Sequence, residues 1–390
     1  MEADYAWKLN KSLYGLKQAG RAWNQKMDAA LVELGFQSLH SDSCVYIKRD
    51  GSAVVYILVY VDDLLLVTND TVRLAATKAA LSSRFDMKDM GEAHFILGVQ
   101  IRRNRAKRQL YLSQHEYIRT ILERFGMQDC KPAASPMATG VKLLRTDPTS
   151  APTSSDESMH NVPYASAVGA LMYAALATRP DIAFAVTALC QFMANPAIIS
   201  HWHAAKRVFR YLQGRREYEL TYGGNGGDQR ALYGYSDSDW GNDVNDRRSF
   251  TGWVFLLHGG AVSWQSCKQR TVALSSVEAE YMAATQATRE AVWWRAFLTE
   301  LGTPPTTATT IYSDSQGAIA LSKNPEHHKR TKHIDIQHHF VREQVSAGTV
   351  VMPHIGTEDM VADVLTKPLA AERHAVLSGR MGVRASHITA

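Results

Sequence analysis

The chain has 390 residues, and at about 150 residues per domain this length predicts two or three domains. Hydrophobic residues make up 45% and charged residues 21%, which excludes a largely disordered chain. The formal net charge of +5 suits an anionic partner such as nucleic acid without requiring one. The four cysteines are far apart and form no C-x-x-C pair, which excludes a disulfide framework and a zinc finger.

Targeting signals are also missing from the sequence. The N-terminus MEADYAWKLN has no secretion-signal pattern, and the longest apolar run, Ala53 to Val61, is too short to span a bilayer. We therefore expect a soluble, intracellular protein with no membrane partner.

Four stretches of the chain differ in pattern. Up to Met127, strand patterns alternate with short helical ones, whereas residues 128–161 contain much Pro, Ser, Thr and Ala and few large apolar side chains. From Tyr164 to Leu212, apolar residues recur at helical spacing, which predicts two or three packed helices, one beginning at Pro180. Beyond the glycines of residues 223–227, strands and helices alternate, as in a mixed sheet covered by helices.

The last stretch has five predicted elements and a capping signal. Ser275 and Glu278 form a capping box, which marks the start of a long helix. The elements are a strand at Ala231–Asp237, a hairpin of Thr251–Leu257 with Ala261–Ser266, the helix from Ser275, a strand at Thr309–Asp314 and a helix at Ala318–Ser322.

A first pair of acids lies in the segment VVYILVYVDDLLLVT. Asp62 and Asp63 separate two runs of Val, Ile, Leu and Tyr, which predicts a hairpin with carboxylates at its tip. Adjacent carboxylates raise each other's proton affinity unless a cation neutralises them, and oxygen ligands on a tight turn suit Mg²⁺. On the residues alone, an ordinary turn that contains aspartate explains the pattern equally well.

A second set of acids is spread over the C-terminal part. The tripeptide Tyr-Ser-Asp ends two predicted strands, at Asp237 and at Asp314. On the long helix, Glu280 falls within the apolar stripe, whereas Glu278 lies about 200 degrees away and serves the cap. Asp363 follows Thr357, a residue that can cap a helix. Such acids, if they meet in one sheet, would need divalent cations, although solvated turns also produce this pattern.

The N-terminal motifs resemble the reverse transcriptases of copia-type retrotransposons. Tyr60-Val61-Asp62-Asp63 is similar to the Y-x-D-D signature, and LNKSLYGLKQAGRAWN to the segment that cradles the incoming nucleotide. FILGVQI is similar to the primer-gripping hairpin. The resemblance implies that Asp62 and Asp63 are catalytic metal ligands and that Gln18 and Tyr60 lie at the nucleotide.

The sequence also departs from the family pattern in one respect. The family's polymerase needs a third carboxylate on an earlier strand, upstream of the YGLKQA segment, and here the chain begins only a few residues before that segment. Asp4 has no strand pattern around it. We therefore predict that this chain alone does not polymerise DNA and that RNA-directed DNA polymerase activity requires the full-length parent.

The C-terminal motifs resemble copia-type ribonuclease H. They are GYSDSDWGND, SSVEAEYMA, IYSDSQGAIALSKNP, HHKRTKHIDIQHHFVRE and MVADVLTKPL, in the order and at the spacing of that family. The resemblance implies that Asp237, Glu280, Asp314 and Asp363 bind two Mg²⁺ ions, with Mn²⁺ as an alternative, for cleavage of RNA in RNA/DNA hybrids. Strand alternation puts Asp239 on the same face as Asp237, so only the resemblance favours Asp237.

A histidine-rich segment with three cations precedes the last acid. Lys329, Arg330 and Lys332 are expected to contact hybrid phosphates without reading sequence. A zinc site is the less favoured alternative, because the spacing of His333 and His338 is awkward for one helical face.

The sequence thus predicts a multidomain α+β or α/β fold with four parts. They are a truncated reverse transcriptase palm and thumb (1–127), a linker and helical connection (128–226), a ribonuclease H-like mixed sheet with helices (227–370) and a C-terminal tail (371–390). The expected partners are RNA/DNA hybrid, template-primer nucleic acid and the remainder of a Pol polyprotein. The expected location is cytoplasmic, in virus-like particles, and also nuclear. The alternative function is a transposon remnant that binds nucleic acid without catalysis.

Overall fold

The computed structural model describes residues 9–145, 162–196, 199–223, 231–323 and 335–386. The chain forms two compact units, of which the first comprises residues 1–93 with 293–304 and the second residues 94–292 with 305–390. Three sheets and their covering helices make up these units, so the predicted multidomain α/β class is confirmed. Within the described ranges, no helix combines the length and apolar character needed to cross a membrane.

The first unit is an antiparallel sheet packed against helices. Its strands run in the order β1-β2-β3-β4, and the apolar runs that flank the acids form β3 and β4. Met27, Leu31 and Ile57 lie at the centre of its core. The elements are α1 (Ala19–Glu33), β1 (Gln37–Ser38), β2 (Val45–Asp50), β3 (Ala53–Tyr60), β4 (Asp63–Thr68) and α2 (Thr71–Ser82).

The turn between β3 and β4 has an unusual backbone. Tyr60 pairs with Asp63, which leaves Val61 and Asp62 as the two loop residues. Val61 has a φ of 55°, a conformation that is disfavoured for a β-branched residue because its Cβ crowds the backbone. The indole nitrogen of Trp23 donates a hydrogen bond to the Val61 carbonyl, which holds this turn against α1. The predicted acid-tipped hairpin is therefore present.

The second unit begins with an antiparallel sheet and a helical layer. The helices at residues 164–213 match the helical spacing of the sequence, and Pro180 opens a 3₁₀ turn (Pro180–Ile182) as predicted. The elements are β5 (Phe95–Ile96), β6 (Val99–Asn104), β7 (Gln109–Ser113), α3 (His115–Arg124), α4 (Tyr164–Ala177), α5 (Ala183–Cys190), α6 (Ile199–Gln213) and β8 (Tyr218–Gly223).

The mixed sheet of the second unit has the order β11-β10-β9-β12-β13. Strands β9, β10 and β11 are antiparallel, whereas β12 runs parallel to both β9 and β13. Helix α7 (Ser276–Leu301) belongs to this unit up to residue 292, and its last residues belong to the first unit. The other strands and helices are β9 (Tyr233–Asp239), β10 (Phe250–Leu257), β11 (Gly260–Lys268), β12 (Thr309–Tyr312), α8 (Gln316–Lys323), α9 (Asp335–Ser346) and β13 (Val350–Val351). This is the predicted mixed sheet with helices.

The last described segment closes the second unit. Two 3₁₀ turns (Thr357–Asp359 and Val361–Leu365) lead to α10 (Ala371–Arg380) and to β14 (Val383–Ala385). Strand β14 pairs with β8, so the first sheet of this unit has the order β14-β8-β7-β6-β5. Helix α10 is also tied to the 3₁₀ turn at Pro180, because His374 Nε2 lies 2.9 Å from the carbonyl oxygen of Asp181.

Candidate active site

Two parallel strands bring the first two acids together, although β9 continues to Asp239, two residues beyond the strand end predicted from the sequence. Tyr235 on β9 pairs with Tyr312 on the parallel strand β12, and an aspartate follows each tyrosine two residues later. Parallel strands end at the same edge of a sheet, so Asp237 and Asp314 project at one place. Together with Glu280 they form a cluster in which one carboxylate oxygen from each lies within 4.8 Å of the others. The repeated Tyr-Ser-Asp tripeptide therefore reflects real adjacency in the sheet.

The phase of helix α7 decides which glutamate joins the cluster. Ser275 Oγ accepts a hydrogen bond from the backbone N–H of Glu278 (3.2 Å), and the Glu278 carboxylate accepts one from the N–H of Leu274 (2.8 Å). Glu278 is thereby engaged at the start of the helix. Glu280 lies on another face of the helix and accepts a hydrogen bond from the backbone N–H of Ser238.

The cluster is electrostatically unfavourable without a cation. Burial raises the pKa of Glu280 well above its ordinary value, and the carboxylates of Asp237 and Asp314 raise this pKa further. Burial also raises the pKa of Asp237, whose side chain is almost fully enclosed. Glu280 Oε2 is buried and has no hydrogen-bond partner among the described residues. An unsatisfied buried carboxylate oxygen beside two other carboxylates fits a divalent metal ion, which prefers oxygen ligands.

Asp363 is linked to Asp237 by Lys367 and is paired with a second cation, Arg373. Lys367 Nζ lies 2.8 Å from Asp363 Oδ1 and 3.5 Å from Asp237 Oδ2, and Arg373 pairs with the other carboxylate oxygen of Asp363. Asp363 is 1% exposed. Its carboxyl group also raises the pKa of Asp237, so the two acids are neighbours. The fourth predicted acid is thus beside Asp237, outside the three-acid group.

A glycine allows this close approach. Gly252 on β10 pairs with Asp237 on β9, and a Cβ atom at Gly252 would lie 2.7 Å from both Leu365 Cβ and Thr366 Cγ2. Any side chain at this position would push the turn that carries Asp363 away from the strand. The absence of a Cβ at Gly252 is therefore what lets the turn pack on the sheet.

Hydroxyl groups hold two of the acids in place. Thr366 donates a hydrogen bond to Asp237 Oδ2, and Thr357 donates one of 2.9 Å to Asp314 Oδ2. The prediction that Thr357 caps a helix is wrong, because the following 3₁₀ turn has Gly356 at its N-cap and no side-chain cap. The Thr357 hydroxyl binds a carboxylate of the cluster instead.

Some of these residues were not anticipated from the sequence, namely Thr366, Lys367 and Arg373. Lys367 follows Asp363 by four residues, the spacing at which side chains of a helical turn meet, and this signal was available. Asp239 lies beyond the three-acid group and accepts a hydrogen bond from the Asn242 amide. Strand alternation in the sequence could not distinguish Asp237 from Asp239. In the structure, Glu280 and Asp314 group with Asp237 and not with Asp239.

The reverse transcriptase-type residues occupy the first unit. Asp62 and Asp63 are exposed at the β3–β4 turn, and Tyr60, the last residue of β3, is 57% exposed. Gln18 is exposed at the N-cap of α1. Among the described residues, no third His, Cys, Asp or Glu joins Asp62 and Asp63 in a group that could hold a metal ion.

The basic segment predicted to contact nucleic acid lies outside the described residues. This applies to Lys329, Arg330 and Lys332, and also to Asp4.

Comparisons with known proteins find similarities along most of the chain. The reverse transcriptase (RNA-dependent DNA polymerase) family matches residues 1–139. Over 97% of its length the chain is 44% identical to the retrovirus-related Pol polyprotein from transposon TNT 1-94 of Nicotiana tabacum. It is 33% identical to the putative transposon Ty5-1 protein of Saccharomyces cerevisiae, over 74% of this chain and 90% of that protein. A solved complex of LC11-RNase H1 with an RNA/DNA hybrid is similar at a TM-score of 0.27 and 14% identity, over 35% of this chain and 93% of that one.

The chain thus combines a region that matches the reverse transcriptase family with a mixed sheet that carries a partly buried acidic cluster. The chain belongs to the Pol polyprotein family of copia-type retrotransposons, as its sequence motifs predict. It spans about a quarter of the length of the Pol polyproteins that it matches, 28% in the tobacco relative.

Proposed function

We propose that the chain cleaves the RNA strand of RNA/DNA hybrids in a metal-dependent reaction, as the ribonuclease H part of a reverse transcription machine. The observation that carries this proposal is the convergence of Asp237, Glu280 and Asp314, with a buried Glu280 oxygen that has no hydrogen-bond partner among the described residues. The Pol relatives support it, because they are retrovirus-related proteins of transposons by name.

The four acids would hold the metal ions, Mg²⁺ or alternatively Mn²⁺. Bound ions would activate a water molecule and stabilise the leaving 3′ oxygen. The chain's own residues prepare this site: Thr366 orients Asp237, Thr357 orients Asp314, and the Ser238 N–H orients Glu280. Such fixed carboxylates need little reorganisation when ions and substrate bind.

The test uses a labelled RNA/DNA hybrid and Mg²⁺. Asp237→Asn should abolish cleavage, and Asp239→Asn, two residues along the same strand, should retain it. Equal loss in both variants would contradict the assignment of Asp237. If the folded wild-type chain binds the hybrid but does not cut it, the chain is a transposon remnant that binds nucleic acid without catalysis.

For the first unit we propose that this chain does not extend primers by itself. Asp62 and Asp63 are two exposed acids, and the described residues offer them no third carboxylate. In the full-length parent these acids would bind metal, with Gln18 and Tyr60 at the nucleotide and the remainder of the polyprotein as partner. Primer extension by the purified 390-residue chain on a template-primer would contradict this proposal.

The remaining assignments are proposals of the same kind. The ribonuclease H domain would comprise residues 227–370, preceded by the connection (128–226) and the truncated palm and thumb (1–127). Lys329, Arg330 and Lys332 would contact hybrid phosphates. The activity would take place inside the cell, in cytoplasmic virus-like particles and in the nucleus.

A further inference from the structure

A lysine side chain lies between two of the four acids. Lys367 Nζ is 2.8 Å from Asp363 Oδ1 and 3.5 Å from Asp237 Oδ2. The two carboxylates are almost fully buried, whereas the Lys367 side chain is 30% exposed. An ammonium group therefore stands where a cation bridging Asp237 and Asp363 would also stand.

The local backbone fixes this arrangement. The N–H of Lys367 donates a hydrogen bond of 3.2 Å to the carbonyl oxygen of Asp363, which closes one helical turn. Pro368 follows and restricts the backbone of Lys367.

The side of Asp237 that faces Glu280 and Asp314 has different charged neighbours. Toward Glu280 and Asp314, the cluster shows no ion pair with a lysine or arginine among the described residues, and the Glu280 Oε2 atom there lacks a hydrogen-bond partner. Toward Asp363, Lys367 and Arg373 already offset two of the negative charges. The two sides of Asp237 therefore attract a divalent ion unequally.

We propose that Lys367 is a built-in cation for the Asp237–Asp363 pair, and that a divalent ion binds this pair only in competition with the lysine. The inference rests on the proposed metal site and adds an order of binding to it. The first ion enters between Asp237, Glu280 and Asp314. The second ion binds more weakly, because the Lys367 ammonium must withdraw from both carboxylates to admit it.

Mn²⁺ titration of the full chain without nucleic acid tests this order. Electron paramagnetic resonance of free Mn²⁺ counts the bound ions and gives their affinities. In the wild-type chain we expect one tight and one weak ion. In Lys367→Gln the weak ion should bind about tenfold more tightly, because its competitor is gone. Lys206→Gln is the matched control, since it removes the same charge from helix α6, where Lys206 contacts the Trp202 ring, and should change neither affinity.

A second variant keeps the test decisive if Lys367→Gln does not fold. In Lys367→Arg the guanidinium can bind carboxylates with two parallel hydrogen bonds, so it should compete harder and weaken the second ion several-fold. Unchanged affinities in these variants would overturn the role of Lys367. Asp237→Asn should lose both ions. If the wild-type chain itself binds no Mn²⁺, the proposed metal site fails, and the competition fails with it.

Discussion

Two regions of this chain carry acids at the ends of β-strands, and they differ in how those acids are held. Asp62 is exposed in the two-residue turn, and Asp63 is exposed as the first residue of β4. Asp237, Glu280, Asp314 and Asp363 come from strand β9, helix α7, the residues after β12 and a 3₁₀ turn. Asp237 and Asp363 are buried and Glu280 and Asp314 are half-buried, and threonine hydroxyls bind Asp237 and Asp314. A functional acid site is thus indicated by convergence and burial more than by adjacent acids in sequence.

The largest expected effect separates two glutamates on one helix. Glu280→Gln should lower the rate of hybrid cleavage about a thousandfold, roughly 4 kcal/mol in activation free energy, because a proposed metal ligand is lost. Glu278→Gln should keep the rate and change the stability by about 0.5 kcal/mol or less, since Glu278 serves only the helix start and a glutamine oxygen can still accept the Leu274 N–H. Single-turnover cleavage and thermal unfolding measure both. Comparable cleavage rates in the two variants would mean that Glu280 in the cluster and Glu278 at the helix cap do not differ in their role.

Metal binding should stabilise one acidic region and leave the other unaffected. With Mg²⁺ at 100 times its dissociation constant, linkage predicts a gain of about 2.7 kcal/mol in the free energy of unfolding of the second unit. Asp62→Asn should retain this gain, whereas Asp314→Asn should lose most of it. Urea unfolding with and without Mg²⁺ measures the gain. A gain that disappears in Asp62→Asn would mean that the exposed hairpin binds the ion.

The pH dependence of stability should come from the buried cluster. The folded-state pKa of Glu280 lies above its ordinary value of 4.5, so the charged form is disfavoured in the folded state. The contribution of Glu280 to metal-free stability should therefore be greatest below about pH 4.5 and fall as the pH rises from there toward the raised pKa of folded Glu280.

Glu280→Gln removes this titration. At neutral pH the substitution should raise the free energy of unfolding by about 1 to 3 kcal/mol, the usual penalty for a buried polar group without a partner. At pH 4 it should have little effect. Chemical unfolding at both pH values checks the sign of this change in the free energy of unfolding. A variant that is less stable at neutral pH would show that the charged Glu280 carboxylate does not destabilise the fold.

The smallest effect concerns the exposed hairpin. Val61→Gly should stabilise the first unit by about 1 kcal/mol or less, because glycine adopts the positive φ of this turn without a Cβ clash. Hybrid cleavage should not change. Urea unfolding followed by Trp23 fluorescence measures the difference, since the Trp23 indole contacts the Val61 carbonyl. A destabilised variant would mean that the Val61 side chain contributes more than its strained backbone costs.

Local patterns predicted the parts of the site that depend on short-range periodicity. The capping box fixed the phase of α7 and so separated Glu280 from Glu278, and alternating apolar residues located β9, β10 and β11. Contacts between distant segments have no comparable local pattern in the sequence. The pairing of Lys367 with Asp237 and the passage of the Asp363 turn over Gly252 depend on tertiary packing, which no window of sequence contains.

The position of β14 has a consequence for how the chain is made. Strand β14 is near the C-terminus, yet it forms the edge of a sheet whose other members begin at Phe95. During synthesis β8 leaves the ribosome long before its β14 partner, so its outer edge stays unpaired until translation of this chain reaches Val383. Synthesis of the mixed sheet falls entirely within that interval. Completion of the earlier sheet is thereby coupled to completion of the domain that carries the acids.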